Sequence, residues 1–229
     1  MKTFDFYIKT KQDLINAVCE FGFVPLFANS ISGFSIEEHV DRSAWYDSAD
    51  GSWKVWDWKG PVIKETQCAY GKFFEHKAVF ISREWYPDFA NYRRDGYDFD
   101  ALYDDGKARF IDKELFELID EHAPITSKQL KRLGNYGKNG KKGFDSIITR
   151  LQEQGYITIT DFVYQLDRYG QPYGWGIAEY STTEKFFCEE FTGKVYRREP
   201  EESYQLIFEH LHKLLPDADD NQIKRIIRR

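Results

Sequence analysis

Residues 144–155 read Phe144-Asp145-Ser146-Ile147-Ile148-Thr149-Arg150-Leu151-Gln152-Glu153-Gln154-Gly155. Apolar residues recur here at spacings of three and four, which predicts an amphipathic helix over residues 144–154 with one buried face. Gly155 is typical of the residue that follows a helix C-terminus. The predicted buried face consists of Phe144, Ile147, Ile148 and Leu151. The side chains left facing outward are Asp145, Ser146, Thr149, Arg150 and Glu153.

The segments on either side of this helix are predicted to form two further helices and a hairpin. A first amphipathic helix is predicted over residues 113–121, and Thr126 or Ser127 is suited to cap a second one. Downstream, residues 156–166 and 175–180 have the composition of two strands joined by a turn. Three helices followed by a hairpin predict a winged helix-turn-helix module over residues 111–182.

The charge of this module opposes that of the rest of the chain. The whole protein has 229 residues and a net charge of −6. Residues 126–150 contain seven basic residues and one acid, a net charge of +6, which leaves −12 for the remaining residues. Such an uneven field attracts a polyanion to one face and repels it elsewhere. Scattered, solvated lysines on a loop are the alternative interpretation.

Double-stranded DNA is the partner that this pattern favours, because the basic residues fall where a winged helix meets its duplex. The exposed side of the third helix offers hydrogen-bonding groups for base edges, and a glycine-rich loop at 134–143 supplies lysines for phosphate. Arg168 lies in the predicted turn of the wing. The predicted DNA-binding residues are Lys128, Lys138, Lys141, Lys142, Ser146, Thr149, Arg150 and Arg168.

The segments around the module complete a predicted α+β fold, with a central winged helix, an aromatic-rich N-terminal α/β segment (1–110) and C-terminal helices (183–229). A helix is predicted over 11–20, and a hairpin from strands at 68–74 and 78–82. Residues 41–60 are predicted to be irregular. In the C-terminal segment, a helix starting at Pro200 is predicted to bury Tyr204, Ile207, Leu211 and Leu214, and a short helix carries Ile223, Ile226 and Ile227.

Several function classes lack their sequence signals. The chain contains no phosphate-binding loop, dinucleotide fingerprint, nucleophile elbow or zinc-protease motif, so no cofactor is predicted. Three cysteines and five histidines show no metal spacing, and the acids between Asp95 and Asp105 do not follow the calcium-loop pattern. The chain lacks a long apolar run and a signal-peptide core, which predicts a cytoplasmic protein without a membrane contact.

Several segments resemble the AlkZ-related proteins, a short bacterial branch of the winged-helix DNA glycosylase superfamily. The resemblance rests on residues 125–130 and 144–151, on the Gln154-Gly155-Tyr156-Ile157 step, and on a set of outlying segments. These segments are Trp58-Lys59-Gly60-Pro61, Tyr70-Gly71-Lys72-Phe73-Phe74, residues 87–98, Pro172-Tyr173-Gly174-Trp175-Gly176 and residues 198–203.

The resemblance implies a relation to enzymes that excise alkylated bases with a Gln-x-Gln motif. Gln152-Glu153-Gln154 has these letters, so Gln152 and Gln154 are the implied catalytic pair. Glu153 departs from the apolar residue usual at the centre of that motif. The full-length glycosylases are also larger, with tandem winged helices.

Three functions remain open at this point. The first is a DNA-binding protein of repair or regulation, and the second is a glycosylase-like enzyme. For the second, Trp53, Trp56, Trp58, Trp85 and Tyr86 would stack a flipped base, although aromatic core packing explains the same residues. The third is a winged helix that contacts proteins and no nucleic acid.

Overall fold

Two small antiparallel sheets and a set of mostly short helices make up this computed structural model, which describes residues 3–47, 49, 51–52, 54–188 and 193–228. The predicted mixed α+β class is confirmed. Each sheet has three strands. Buried apolar side chains from both ends of the chain and from its centre form one hydrophobic cluster. Trp53, one of the tryptophans considered above, lies outside the described residues.

The N-terminal segment begins with α1 (Lys11–Phe21), where the prediction placed a helix. Thr10 and Asp13 form a capping box at its start, which satisfies two backbone N–H groups that the first turn leaves open. Three further helices follow, α2 (Ile36–His39), α3 (Arg42–Trp45) and α4 (Lys54–Thr66).

The prediction that residues 41–60 are irregular is wrong, because α3 and most of α4 occupy them. Gly60 and Pro61 mark a break in sequence, yet both lie inside α4. Packing accounts for Gly60. A Cβ atom at this position would lie 2.5 Å from Oδ1 of Asp161, so glycine allows the helix and a strand of the second sheet to approach closely.

The first sheet contains β1 (Phe23–Pro25), β2 (Ala69–Phe74) and β3 (Lys77–Ile81), in the order β1-β3-β2. The predicted hairpin is β2–β3. Strand β1 was not predicted. It contains Pro25, which is tolerated there because β1 is an edge strand. Two short helices follow, α5 (Tyr86–Arg94) and α6 (Phe99–Asp104), and Asp98 caps the second as its sequence indicated.

The central segment has the predicted helices and two predicted strands. They are α7 (Phe110–His122), α8 (Ser127–Leu133), α9 (Phe144–Glu153), β5 (Ile157–Leu166) and β6 (Pro172–Thr182). Thr126 caps α8, and Gln129 closes the capping box. A further strand, β4 (Ile125–Thr126), was predicted only as a connector. It pairs with β6, so the second sheet has the order β4-β6-β5.

The C-terminal segment consists of α10 (Thr183–Phe187), α11 (Pro200–Leu214) and α12 (Asp220–Ile227). The predicted stripe of α11 is buried at Ile207, Leu211 and Leu214, whereas Tyr204 is half-buried. No helix in the described part of the chain is long and apolar enough to cross a membrane.

Two polar connections join the segments. The hydroxyl of Thr158 in β5 accepts a hydrogen bond from the backbone N–H of Tyr70 in β2 at 3.0 Å and donates to the carbonyl of Tyr70 at 3.2 Å. The second connection is Arg94 at the end of α5, whose side chain is fully buried. Its guanidinium donates to the side chains of Thr183, Glu184 and Tyr196 and to the carbonyl of Gly155. These bonds offset the desolvation of the buried charge.

Candidate functional site

Helix α9 buries the face that its periodicity predicted. Phe144, Ile147, Ile148 and Leu151 are all at most 6% exposed. The helix begins after Gly143, which has a φ of +85° and therefore a backbone conformation that favours glycine. No side chain caps this N-terminus, so its first backbone N–H groups receive no capping hydrogen bond from a side chain.

The loop before α9 is folded back on itself. Tyr136 and Lys141 form an isolated bridge, and the N–H of Lys141 donates to the carbonyl of Asn135 at 2.7 Å. Gly140 permits this turn, because a Cβ atom there would lie only 2.1 Å from the carbonyl oxygen of Asn135. The ring of Tyr136 packs edge-on against Phe144, which holds the loop at the start of α9.

The basic side chains of this region fall into two groups. Lys131, Lys141 and Arg150 are paired with the carboxylates of Asp145, Glu114 and Asp112, respectively. The others are exposed and form no ion pair within the described residues, although the Arg168 guanidinium lies over the ring of Tyr169. This second group consists of Lys128, Arg132, Lys138, Lys142 and Arg168.

The predicted outward residues of α9 differ along the helix. Asp145 and Ser146, in the first turn, are exposed. Thr149 and Arg150 are half-buried, and Thr149 accepts a hydrogen bond from Nζ of Lys72 at 3.3 Å. Arg150 donates through Nε and a terminal nitrogen to the two carboxylate oxygens of Asp112, and these bonds raise the pKa of the guanidinium. Arg150 therefore holds α9 against α7.

The two glutamines of the Gln-x-Gln match are not brought together. Gln152 is 1% exposed, and its Oε1 accepts the backbone N–H of Lys72 in β2 at 2.9 Å. It lines a small cavity beside β2. Gln154 is half-buried and lines a different, larger cavity of about 430 Å³, together with Arg93 and Arg225. The pair does not share a cavity in which both could act on one water molecule.

Lys59 is a residue that the sequence interpretation did not single out. Its side chain lines the same cavity as Gln152, and the whole residue is 7% exposed. The ammonium lies 4.0 Å from the ring centre of Phe162 and 4.5 Å from that of Trp56. Burial lowers the pKa of Lys59 to about 8, although the charge of Asp57 opposes this shift.

A signal for Lys59 was present in the sequence. On α4, Lys59 follows Val55 by four residues and precedes Val62 and Ile63 by three and four, so it lies on the face that these apolar residues bury. A lysine within an apolar stripe is a candidate for a functional amine. The missed helix over residues 54–66 concealed this spacing.

A comparison of the sequence with models of known protein families identifies the family, and the match covers nearly the whole chain. Residues 8–228 match the family described as AlkZ related. The chain belongs to the AlkZ-related family. Comparison with curated proteins and with solved structures gave no match.

Three of the eight segments that suggested the AlkZ-related resemblance contribute residues to the wall of the cavity of Lys59 and Gln152. Residues 58–61 lie on α4, residues 70–74 form most of β2, and residues 144–151 lie on α9. Each of these elements contributes side chains or backbone to the cavity wall.

The aromatic residues proposed to hold a flipped base have separate environments. Tyr86 is fully buried and donates to the carbonyl of Gly155, and Trp85 stacks on His210 with ring centres 4.1 Å apart. Trp56 packs with Trp45 and also edge-on against Trp175 of β6. Trp56 lines a shallow cavity together with Tyr164 and Trp175, to which Trp58, Trp85 and Tyr86 do not contribute.

Proposed function

We propose that residues 111–182 are a winged-helix domain and that the chain binds double-stranded DNA through it. The single observation that carries this proposal is the position of the exposed basic residues that lack an acidic partner. Two of them, Lys138 and Lys142, lie in the loop that leads directly into the uncapped N-terminus of α9, where backbone N–H groups already favour an anion.

The order of elements supports the winged-helix assignment. A helix, a short strand, two helices and a hairpin follow one another, and the short strand β4 pairs with the second strand of the hairpin. In helix-turn-helix proteins, the N-terminal residues of the second helix contact base edges. In this chain α8 and α9 are the corresponding pair, and the N-terminal turn of α9 is its exposed end.

The proposed contacts divide by chemistry. Lys128, Lys138, Lys142 and Arg168 would contact phosphates, and Ser146 is placed to reach base edges. Lys141, Thr149 and Arg150 would have to leave Glu114, Lys72 and Asp112, respectively, before they contact DNA. We therefore assign the larger part of the binding free energy to the cations that have no acidic partner.

The AlkZ-related family suggests that this DNA contact serves repair. Base excision is a second candidate function, supported by the position of Gln152 in a cavity that Asp145 of the first turn of α9 also lines. Release of a base from alkylated duplex DNA by the wild-type chain would support this second function. Its loss in Gln152→Ala or Gln154→Ala counts as support where the variant keeps a cooperative thermal transition at the assay temperature.

The test of DNA binding is the salt dependence of affinity for a fluorescent duplex. Four phosphate contacts give a slope of about −3.6 in log K against log salt, or a loss of about 150-fold between 50 and 200 mM. We expect Lys138→Glu with Lys142→Glu to lower the affinity at least about tenfold and to reduce the slope by about 2.

The control for this test makes the same change in charge on another surface. Lys213→Glu with Lys224→Glu alters two lysines of α11 and α12, each of which has an acid one turn away. This variant should bind close to the wild-type level. A flat salt response, or an equal loss in both double variants, would reject DNA binding by the α9 face and favour a protein-interaction module.

A further inference from the structure

A small cavity lies between the N-terminal sheet and the proposed winged helix. It has a volume of about 160 Å³, and its walls come from α4, β2, β3, α9, β5 and β6. Asp145 contributes to one wall while remaining exposed, so the cavity opens beside the first turn of α9. The chemical groups in its walls include Lys59, Tyr70, Gln152, Phe162 and Tyr180.

The amine of Lys59 is unusual among the lysines of α4. Lys54 and Lys64 are exposed enough to reach water, and each forms an ion pair, with Asp47 and Asp161 respectively. Lys59 is nearly buried and forms no ion pair within the described residues. A buried ammonium without an ion pair costs free energy that a methionine or leucine would not, and the faces of Phe162 and Trp56 offset only part of this cost.

We propose that Lys59 is a nucleophile that forms an imine with the aldehyde of a deoxyribose that has lost its base. The inference rests on the proposed function, because the DNA-binding face would deliver such a sugar to the cavity mouth. A volume of about 160 Å³ is below the roughly 300 Å³ of most ligand pockets, and suits a sugar without its base.

The reaction balances without a cofactor. The neutral amine of Lys59 attacks C1′ of the open-chain aldehyde, and a nitrogen–carbon bond forms. The former carbonyl oxygen then leaves as water with the two amine protons, and a carbon–nitrogen double bond remains. Desolvation of a lysine by apolar neighbours is an established way to obtain the neutral amine that this step needs.

The charges around Lys59 bear on how much neutral amine is present. Asp57 favours the ammonium, as do the faces of Trp56 and Phe162, whereas burial favours the amine. Lys72 and Asp145, of opposite charge, line the cavity, and Asp161 is paired with Lys64. With a pKa of about 8, about a quarter of Lys59 is neutral at pH 7.5, against about 0.1% of an ordinary lysine.

The experiment traps the imine with cyanoborohydride. The full chain is mixed with a duplex that contains one abasic site, and separately with 2-deoxyribose 5-phosphate, and the adduct is located by peptide mass spectrometry. We expect a reduced adduct on Lys59 in both cases, with a yield that rises with a midpoint near pH 8. Lys59→Met and Lys59→Arg should lose at least about 90% of it, and Lys64→Met, on the same helix, should retain it.

The two probes separate the inference from the proposed function. Absence of an adduct on Lys59 with the sugar phosphate, or an adduct spread evenly over surface lysines, overturns the inference even if the chain binds DNA. A Lys59 adduct with the sugar phosphate in a chain that fails to bind duplex DNA supports the amine chemistry and overturns the proposed function. A cooperative thermal transition in both Lys59 variants shows that loss of the adduct is not loss of the fold.

Discussion

Helix α9 has only 10 residues, yet its N-terminal end is exposed and its C-terminal end is held by neighbouring elements. At the N-terminal end, Asp145 and Ser146 are exposed and no side chain caps the helix. At the C-terminal end, Arg150 is held by Asp112, Gln152 by the backbone of Lys72, and Glu153 by His76 at 2.6 Å. One end of the helix is accessible, and the other is fixed on two sides.

This contrast shows how a short helix can be presented to a ligand without being free to move. The interactions of the C-terminal end come from α7 and from the β2–β3 hairpin, so they fix both the position and the rotation of α9. The accessible end then keeps its orientation without any capping interaction of its own. A preorganised contact loses less entropy on binding.

The largest effect on stability is expected at the fixed end. Gln152→Ala removes the acceptor of the Lys72 N–H and leaves a space in a buried site, so we expect a loss of about 2–4 kcal/mol in the free energy of unfolding. Urea denaturation measures this change. Ser146→Ala, at the accessible end, should change stability by less than about 0.5 kcal/mol. Equal losses of stability in Gln152→Ala and Ser146→Ala would show that the two ends of α9 are not held differently.

A second prediction concerns Lys59, whose cavity lies between the two ends of α9. Its pKa of about 8 in the fold is below the 10.5 of an unfolded lysine, so the unfolded chain binds more protons between these values. The stability of the wild type should therefore rise, relative to that of Lys59→Met, as the pH increases from 8 to 10.5.

At pH 7 the Lys59→Met variant is expected to be the more stable, by at most about 3 kcal/mol. Unfolding measured at pH 7, 8, 9 and 10 on both proteins tests this. A difference that stays constant across this range would show that Lys59 is not protonated differently in the folded and unfolded chains.

A third, smaller effect is expected for the ion pair between α7 and α9. Asp112→Ala leaves Arg150 without its carboxylate, but the arginine can turn to water, so we expect a loss of about 2 kcal/mol. Glu114→Ala is the matched control. Its partner Lys141 lies on an exposed loop, so this substitution should lower the free energy of unfolding by less than about 1 kcal/mol. A loss for Glu114→Ala as large as that for Asp112→Ala would contradict this explanation.

The smallest effect is expected at the accessible end, and in binding rather than stability. Asp145→Asn removes a carboxylate from the first turn of α9, where it would oppose a phosphate. We expect duplex affinity to rise about threefold at low salt, with stability changed by less than about 0.5 kcal/mol. Anisotropy titration measures the duplex affinity. Unaltered or weaker binding would show that no DNA phosphate lies beside the first turn of α9.

The sequence predicted the elements whose signals are local. The buried stripe of α9 and the cap of α8 depend on residues within one or two turns, and both are present. Helix α4 was missed because Gly60 and Pro61 disfavour a helix locally, while close packing against Asp161 accounts for the glycine. Tertiary contacts outweighed the local preference.

The candidate site was harder to predict, for a related reason. A helical pattern shows that Arg150 faces away from Ile147 and Leu151, but it cannot show that Asp112 meets it from 38 residues away. The same holds for Lys141 and Glu114, which are 27 residues apart. Lys138 and Lys142 lie close to Lys141 in sequence, but neither has an acidic partner among the described residues. Only the fold distinguishes the cations that are paired with a carboxylate, Lys141 and Arg150, from those that are not, Lys138 and Lys142.

The interactions of Arg94 have a consequence for the order in which the chain acquires its structure. The hydrogen-bond partners of its guanidinium lie 61, 89, 90 and 102 residues further along the chain. During synthesis, α5 leaves the ribosome long before Tyr196 does, and contacts across such separations form slowly. Any nascent chain that stops short of Tyr196 has a cation without its full set of acceptors, and is expected to be a substrate for chaperones and proteases until that tyrosine arrives.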